Sequence, residues 1–217
     1  EWGCLEPASM RQVWTSHTVA VLPVDLFGRV VEHRHVVGAG VRLVVEDACQ
    51  AVGAKSSDGR WGGMIGTVGA WSFNGAKNVA AGEAGAMVTD DDGLARRARL
   101  YISHGENWES AEVGLNGRLN ELTACVATHG LRAVLTHNRR RRHLAGVLRR
   151  RLGARTDLAL PDERGHALYV YPLVLAEGVD RSAFVKSMRA RGIEVGEGYI
   201  RPAQHRYPAF HKYQRIP

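Results

Sequence analysis

The sequence predicts an α/β chain: a mostly parallel sheet with flanking helices, followed by a smaller α+β segment. Three observations carry this. Two short β-branched apolar runs lie at the spacing of a strand–connection–strand unit of a parallel sheet. A helical apolar stripe then runs through residues 119–152. After Pro161 the pattern changes to short strands around one helix.

Each element has its own reason. Residues 18–24 (Thr-Val-Ala-Val-Leu-Pro-Val) read as a buried strand. A turn at Gly28 and a helix-like stretch follow, closed by Gly38-Ala39-Gly40. Residues 41–45 form the second strand, ending in Glu46-Asp47. Residues 70–73 and 86–89 are two further strands joined by a glycine-bearing segment. Asp90-Asp91-Asp92 caps a helix over 93–102, its acidic end placed where the helix dipole favours it. In the long helix, Leu131, Val134, Leu135, Leu144, Val147, Leu148 and Leu152 share a stripe, and Arg141 falls beside it, where it must snorkel. Beyond Pro161 the expectation is a strand over 166–175, a helix over 181–191 and a strand over 193–195.

Composition limits the function classes. The 217 residues are 45% hydrophobic and 24% charged, the balance of a soluble globular protein rather than a disordered or collagen-like one. No run approaches the ~18 apolar residues of a membrane span. The N-terminus lacks a basic region followed by an apolar core, so no secretory signal is read there. Cys4, Cys49 and Cys125 are widely spaced and odd in number, fitting neither a disulfide framework nor a zinc knuckle, so a cytoplasmic protein is expected. The net charge of +7 is concentrated in Arg139-Arg140-Arg141-Arg142 and Arg149-Arg150-Arg151. A basic helix can track nucleic-acid phosphates. Without interleaved aromatics or a recognisable motif, a solvated helix face is the expected reading instead.

The candidate chemistry centres on Asp47 and Lys77. An acidic residue at the carboxyl end of a buried parallel strand sits where open α/β sheets bind ligands. Only four lysines occur, namely Lys55, Lys77, Lys186 and Lys212. Lys77 follows a strand ending in Ser72-Phe73-Asn74, beside a Gly-rich turn. Lysine, unlike arginine, can lose its proton when desolvated, as an amine that forms a Schiff base must.

These residues belong to an ordered series: Val45-Glu46-Asp47-Ala48-Cys49-Gln50-Ala51, then Gly66, Ser72-Phe73-Asn74-Gly75-Ala76-Lys77-Asn78 and Gly82-Glu83-Ala84-Gly85-Ala86-Met87-Val88-Thr89-Asp90. With Pro23-Val24-Asp25-Leu26-Phe27-Gly28 upstream and His104-Gly105 and Gly114-Leu115-Asn116-Gly117-Arg118-Leu119-Asn120-Glu121-Leu122 downstream, the series resembles the sugar aminotransferases of the DegT/StrS type. These are fold-type-I enzymes dependent on pyridoxal phosphate (PLP). The resemblance implies that Lys77 forms the Schiff base and that Asp47 pairs with the pyridinium nitrogen. It also implies that Gln50 lies against the cofactor, Ser72 binds the phosphate, Asn116 reaches a neighbouring subunit's phosphate and His104 lies near the substrate. His205, in Pro202-Ala203-Gln204-His205, matches a small-domain motif with no chemical role assigned.

The implied activity is transfer of an amino group from glutamate or glutamine to a nucleotide-linked keto-sugar or keto-cyclitol, in amino-sugar or secondary metabolism. Lysine at position 77 argues against the family's dehydratase branch, which carries histidine there. The implied partners are a sugar or cyclitol substrate, an amino-acid donor, and a second copy or a homologue in a dimer, with no membrane and no nucleic acid. The implied organisation is a partial cofactor-binding large domain over 1–135, then a bridging helix and partial small domain over 136–217. The resemblance starts inside the family's large domain and stops before its usual C-terminal segment. It therefore implies a remnant without the N-terminal phosphate-binding loop and ring-stacking aromatic, binding PLP weakly by itself. Ala84 stands where the family generally has glycine, and Gly117 where it often has an aromatic. The alternative is an inactive homologue acting as an accessory or binding subunit of a full-length aminotransferase.

Overall fold

The computed structural model describes residues 2–32, 41, 43–106, 112–197 and 206–213. Gly38-Ala39-Gly40 and His205 lie outside the described residues. The chain divides into two compact units, Glu1–Ala154 with Leu160–Leu173, and Arg155–Ala159 with Val174–Pro217.

The first unit opens on α1 (Pro7–Val13), where Pro7 occupies the first turn and the Glu6 carboxylate accepts from the Ser9 N–H at 2.7 Å. Next comes a three-stranded sheet of β1 (Val45–Asp47), β2 (Val68–Ser72) and β3 (Gly85–Val88). β1 pairs with β2 in parallel, and β2 with β3 antiparallel.

The strand expected over 18–24 is reduced to two parallel bridges, Val21 to Val44 and Val24 to Asp47. Pro23 explains the interruption. Its carbonyl accepts from Asp47 N at 2.9 Å, but it has no N–H to return, so the ladder breaks there. The strand expected over 41–45 is shifted toward the carboxyl end, which puts Glu46 and Asp47 inside β1.

Glu46 is fully buried, and its carboxylate accepts from the N–H groups of Gly63, Ile65 and Gly66 at 2.7, 3.0 and 3.2 Å. It thereby fixes the turn that leads into β2. The turn passes so close to the strand that a Cβ on Gly69 would lie 1.9 Å from the Gly63 carbonyl oxygen. Only glycine fits there.

Two helices of this unit are capped by side chains, the first as expected. Asp91 caps α2 (Asp92–Ile102) by accepting from Leu94 N at 2.9 Å. Asn120 caps α3 (Glu121–Leu152) by accepting from Thr123 N at 2.9 Å. The boundary expected at 135/136 falls within α3, all of which belongs to the first unit.

The buried face of α3 differs from the expected stripe. Ala127, Val134, Asn138 and Ala145 face inward, whereas Leu135, Leu144 and Leu148 are exposed. Val134 and Ala127 pack with Val52, Phe73, Val79 and Ala81. A second cluster joins Met10, Val21, Val31 and Val44. A third is almost all alanine, Ala48, Ala51, Ala54 and Ala167 around Val30, so backbones approach closely there.

The arginine run is not a uniformly solvated face. Arg141 donates to the Leu168 carbonyl at 3.1 Å and Arg142 to the His166 carbonyl at 2.8 Å. Arg149 pairs with Glu163 at 2.7 Å and also reaches the Pro161 carbonyl. Three guanidinium groups thus staple residues 161–168 to α3, while Arg139, Arg140, Arg150 and Arg151 stay exposed.

The strand expected over 166–175 is confined to its last two residues. Leu168 has a φ of +48° and breaks the extended run. In the second unit, β4 (Leu158–Ala159) and β5 (Val174–Leu175) pair antiparallel. Asp180 caps α4 (Arg181–Ala190) by accepting from Ala183 N at 3.0 Å. Residues 193–195 are not a strand; the Arg189 guanidinium binds the Val195 carbonyl at 2.9 Å. No helix of the described residues is long and apolar enough to cross a membrane.

Asp25 is fully buried beside Glu46, with its Oδ1 accepting from Val31 N at 2.8 Å. Burial first, and then the Glu46 charge, push its carboxyl well above the usual range. The fold therefore keeps this proton where the unfolded chain has lost it, so stability falls as pH rises from about 4 toward the raised folded value. Asp25→Asn has nothing to titrate there. Its stability relative to the parent chain should increase as pH rises above about 4, as urea unfolding at each pH would show.

Candidate functional site

Because β1 and β2 run parallel, their carboxyl ends open on the same edge of the sheet. Asp47 ends β1 and Ser72 ends β2. That edge is where open α/β sheets gather ligand-binding groups. Asp47 Oδ1 accepts from Cys49 N at 3.1 Å, which turns the chain sharply after the strand. The Ser72 hydroxyl accepts from Asn74 N at 3.3 Å.

Lys77 stands in the loop between β2 and β3. Phe73 closes this loop at its base, donating to Ala84 O and accepting from Ala81 N, each at 2.8 Å. Asn74 organises its tip. The Asn74 side chain accepts from Ala76 N at 3.0 Å and donates to Glu83 at 2.7 Å, while its carbonyl accepts from Lys77 N at 2.8 Å. Val79, almost fully buried, pins the following turn into the core.

The half-buried Cys49 thiol is perturbed by both Asp47 and Lys77. Burial raises it to about 12, helped by the hydrogen bond and charge of Asp47, while the Lys77 charge pulls it down. One thiol therefore feels both groups. Lys77 Nζ also lies over the Tyr169 ring, 4.7 Å from its centroid.

Gln50 is buried, and its side-chain oxygen accepts from Phe27 N at 2.8 Å. It braces a turn in which Phe27 has a φ of +60° and Gly28 one of +93°. Gly28 is required at this point, since a Cβ there would lie 2.8 Å from Leu168 N.

Asp47, Gln50, Ser72 and Lys77 therefore belong to one edge of the sheet and its loops. His104 follows α2 directly, Asn116 lies on the segment bridged to Ser103, and both are exposed. His104 N donates to Leu115 O at 3.0 Å, and Ser103 bridges Asn116. Among the described residues, no hydrogen bond links either residue to Asp47 or Lys77.

Sequence reasoning missed three contributors. Asn78 donates to the Asn138 side chain at 3.1 Å and to the Ala167 carbonyl at 2.9 Å. Asn138 donates in turn to the Val52 carbonyl at 2.9 Å. An asparagine on the stripe with Leu131 and Val134 was a readable sign of a buried polar contact. Tyr169 carried no such sign, because its contact is made with a residue far along the chain.

The residues fit a PLP site in their chemistry: a half-buried amine, a carboxylate in the same field and a hydroxyl at the adjacent strand end.

The model of the DegT/DnrJ/EryC1/StrS aminotransferase family matches residues 1–216. The erythromycin biosynthesis sensory transduction protein EryC1 of Saccharopolyspora erythraea is 34% identical, over 95% of this chain and 57% of its own length. The GDP-perosamine synthase of Caulobacter vibrioides is 31% identical, over 88% of this chain and 54% of its own. Among solved structures, the DesV protein of S. venezuelae superposes with a TM-score of 0.85 at 28% identity, covering 99% of this chain and 58% of that one. The chain thus spans little more than half the length of these relatives.

Asn78→Ala should test how the lysine loop is held. The change leaves the Ala167 carbonyl and the Asn138 side-chain oxygen without their donor, at a cost of about 1–3 kcal/mol of stability. Urea unfolding should show that loss, and amide exchange should quicken within 73–81 before the rest of the unit.

Proposed function

Because the chain belongs to the DegT/DnrJ/EryC1/StrS aminotransferase family, we propose that it serves PLP-dependent amino transfer, from glutamate or glutamine to a nucleotide-linked keto-sugar or keto-cyclitol. The observation that carries this reading is the placement of Asp47 at the carboxyl end of one strand and of the half-buried Lys77 in the loop that leaves the parallel neighbour strand at the same edge. The perosamine synthase and a UDP-N-acetyl-3-dehydro-alpha-D-glucosamine 3-aminotransferase from Acidithiobacillus ferrooxidans, 30% identical, support a nucleotide-linked keto-sugar as acceptor.

Each residue has a part in this reading. Lys77 is the amine that carries the cofactor. When bound, PLP supplies an electron-withdrawing ring that stabilises negative charge on the substrate carbon. Asp47 keeps the ring nitrogen protonated through its own negative charge. The released Lys77 Nζ takes the proton from the substrate carbon and returns it, acting in turn as general base and acid. Gln50, its oxygen held by Phe27, lies against the cofactor ring. Ser72 donates to the phosphate. Asn116 reaches the phosphate of a neighbouring copy, and His104 lies near the substrate.

A neighbour is also favoured by the surface around His104 and Asn116. Tyr101, Ile102, Val113, Leu115, Leu119, Leu122 and Val126 are all exposed there, with Val113 at 90% and Leu122 at 83%. Apolar side chains so grouped mark an interaction surface. Light scattering on the chain should give twice its 23.8 kDa mass, and Leu115→Asp combined with Leu122→Asp should return it toward a monomer. A wild-type monomer at micromolar concentration contradicts the pairing.

Borohydride reduction in the presence of PLP, followed by peptide mapping, tests the central assignment. The label should fall on Lys77, and label on Lys55, Lys186 or Lys212 instead overturns it. Lys77→Ala should lower amino transfer by more than about 100-fold, since the base is removed along with the linkage.

A further inference from the structure

The ring beneath Lys77 is held with unusual care. Tyr169 N donates to the Phe27 carbonyl and Ala167 N to the Gly28 carbonyl, both at 3.0 Å. Between them Leu168 adopts a φ of +48°, a conformation that a branched side chain keeps only where its surroundings over-determine it. The surroundings do so here. Arg141 holds the Leu168 carbonyl at 3.1 Å, Arg142 the His166 carbonyl at 2.8 Å and Asn78 the Ala167 carbonyl at 2.9 Å.

Asn78 is the residue after Lys77. The dipeptide therefore grips this segment twice, through the Asn78 amide on the backbone and through Lys77 Nζ on the Tyr169 ring, 4.7 Å from its centroid. An ammonium over an aromatic face is attracted by the ring quadrupole, more so where water is partly excluded. Both side chains are half-buried. A lysine on its flexible four-carbon stem would otherwise sample many rotamers.

We propose that Tyr169 is a positioning residue for Lys77, its ring face holding the side-chain amine whenever that amine is not covalently engaged. The proposal rests on the reading of Lys77 as the cofactor-bearing amine. In that reading the platform keeps the released base within the site, where it must act again in the same turnover. The ring face is the working part, so phenylalanine should serve as well as tyrosine.

The test uses the whole 217-residue chain without PLP, its lysines dimethylated with ¹³C-formaldehyde and the Lys77 signal assigned by its loss in Lys77→Arg. The Lys77 methyl protons should be shifted upfield of those of the exposed Lys186 by the ring current. The shift should survive in Tyr169→Phe and vanish in Tyr169→Leu. In parallel, acylation of Lys77 relative to Lys186, read by mass spectrometry, should quicken about twofold to fivefold in Tyr169→Leu and stay unchanged in Tyr169→Phe. A wild-type Lys77 signal coincident with that of Lys186 overturns the proposal, and this comparison stands even if Tyr169→Leu does not fold. A Tyr169→Phe chain that loses the shift overturns it as well. Because PLP is absent throughout, a failure of borohydride to label Lys77 counts against the proposed function and leaves this result intact.

Discussion

The buried amide of Asn138 is the contact on which the candidate site depends. It donates to the Val52 carbonyl and accepts from Asn78, so one side chain of the long helix joins the loop after Asp47 to the loop that bears Lys77. Asn78 extends the link to Ala167 and hence to the turn before Tyr169. Asn138 is fully buried with both ends of its amide engaged. In a low-dielectric interior hydrogen bonds of this kind are strengthened, and each of the donors and acceptors they join would be costly to leave without its partner. The loop after Asp47 and the loop that bears Lys77 are therefore tied together from behind, by a helix that contributes none of the proposed chemistry.

Charge does similar structural work around this node. Three arginines of the two basic runs hold carbonyls and a carboxylate of residues 161–168 instead of facing solvent or phosphate. An arginine fork suits this task, since its several fixed donors can reach a backbone segment that has no ladder of its own. Behind Asp47, Glu46 collects three backbone N–H groups and faces the raised carboxyl of Asp25. Adjacent acidic residues in one strand thus have opposite tasks. Alternation sends Glu46 into the core, whereas Asp47 ends the strand at the open edge.

Much of the local structure was legible. Asp91 caps the helix that follows it, as expected, because a cap is a contact across three residues. The strands around Trp71 and Met87 lie within two residues of their expected bounds. The failures share a cause. Pro23 removes one donor from an otherwise strand-like run, and Leu168 is bent by contacts from the helix and from Phe27. Residues 193–195 find an arginine rather than a strand. The expected leucine stripe on the long helix misjudged the buried face, because the small residues Ala127 and Ala145 and the polar Asn138 take the inward positions.

By itself the sequence determined the family, through residues such as Asp47, Gln50, Ser72 and Lys77 in a particular order and spacing. These are neighbours of strand ends, and strand ends follow from local pattern. Only the tertiary structure decided that Tyr169 lies under Lys77, that Asn138 ties the two loops, and that His104 and Asn116 are exposed. Such contacts join residues far apart in the chain. Periodicity and propensity act over a few residues, so they carry no record of which distant side chain will meet which.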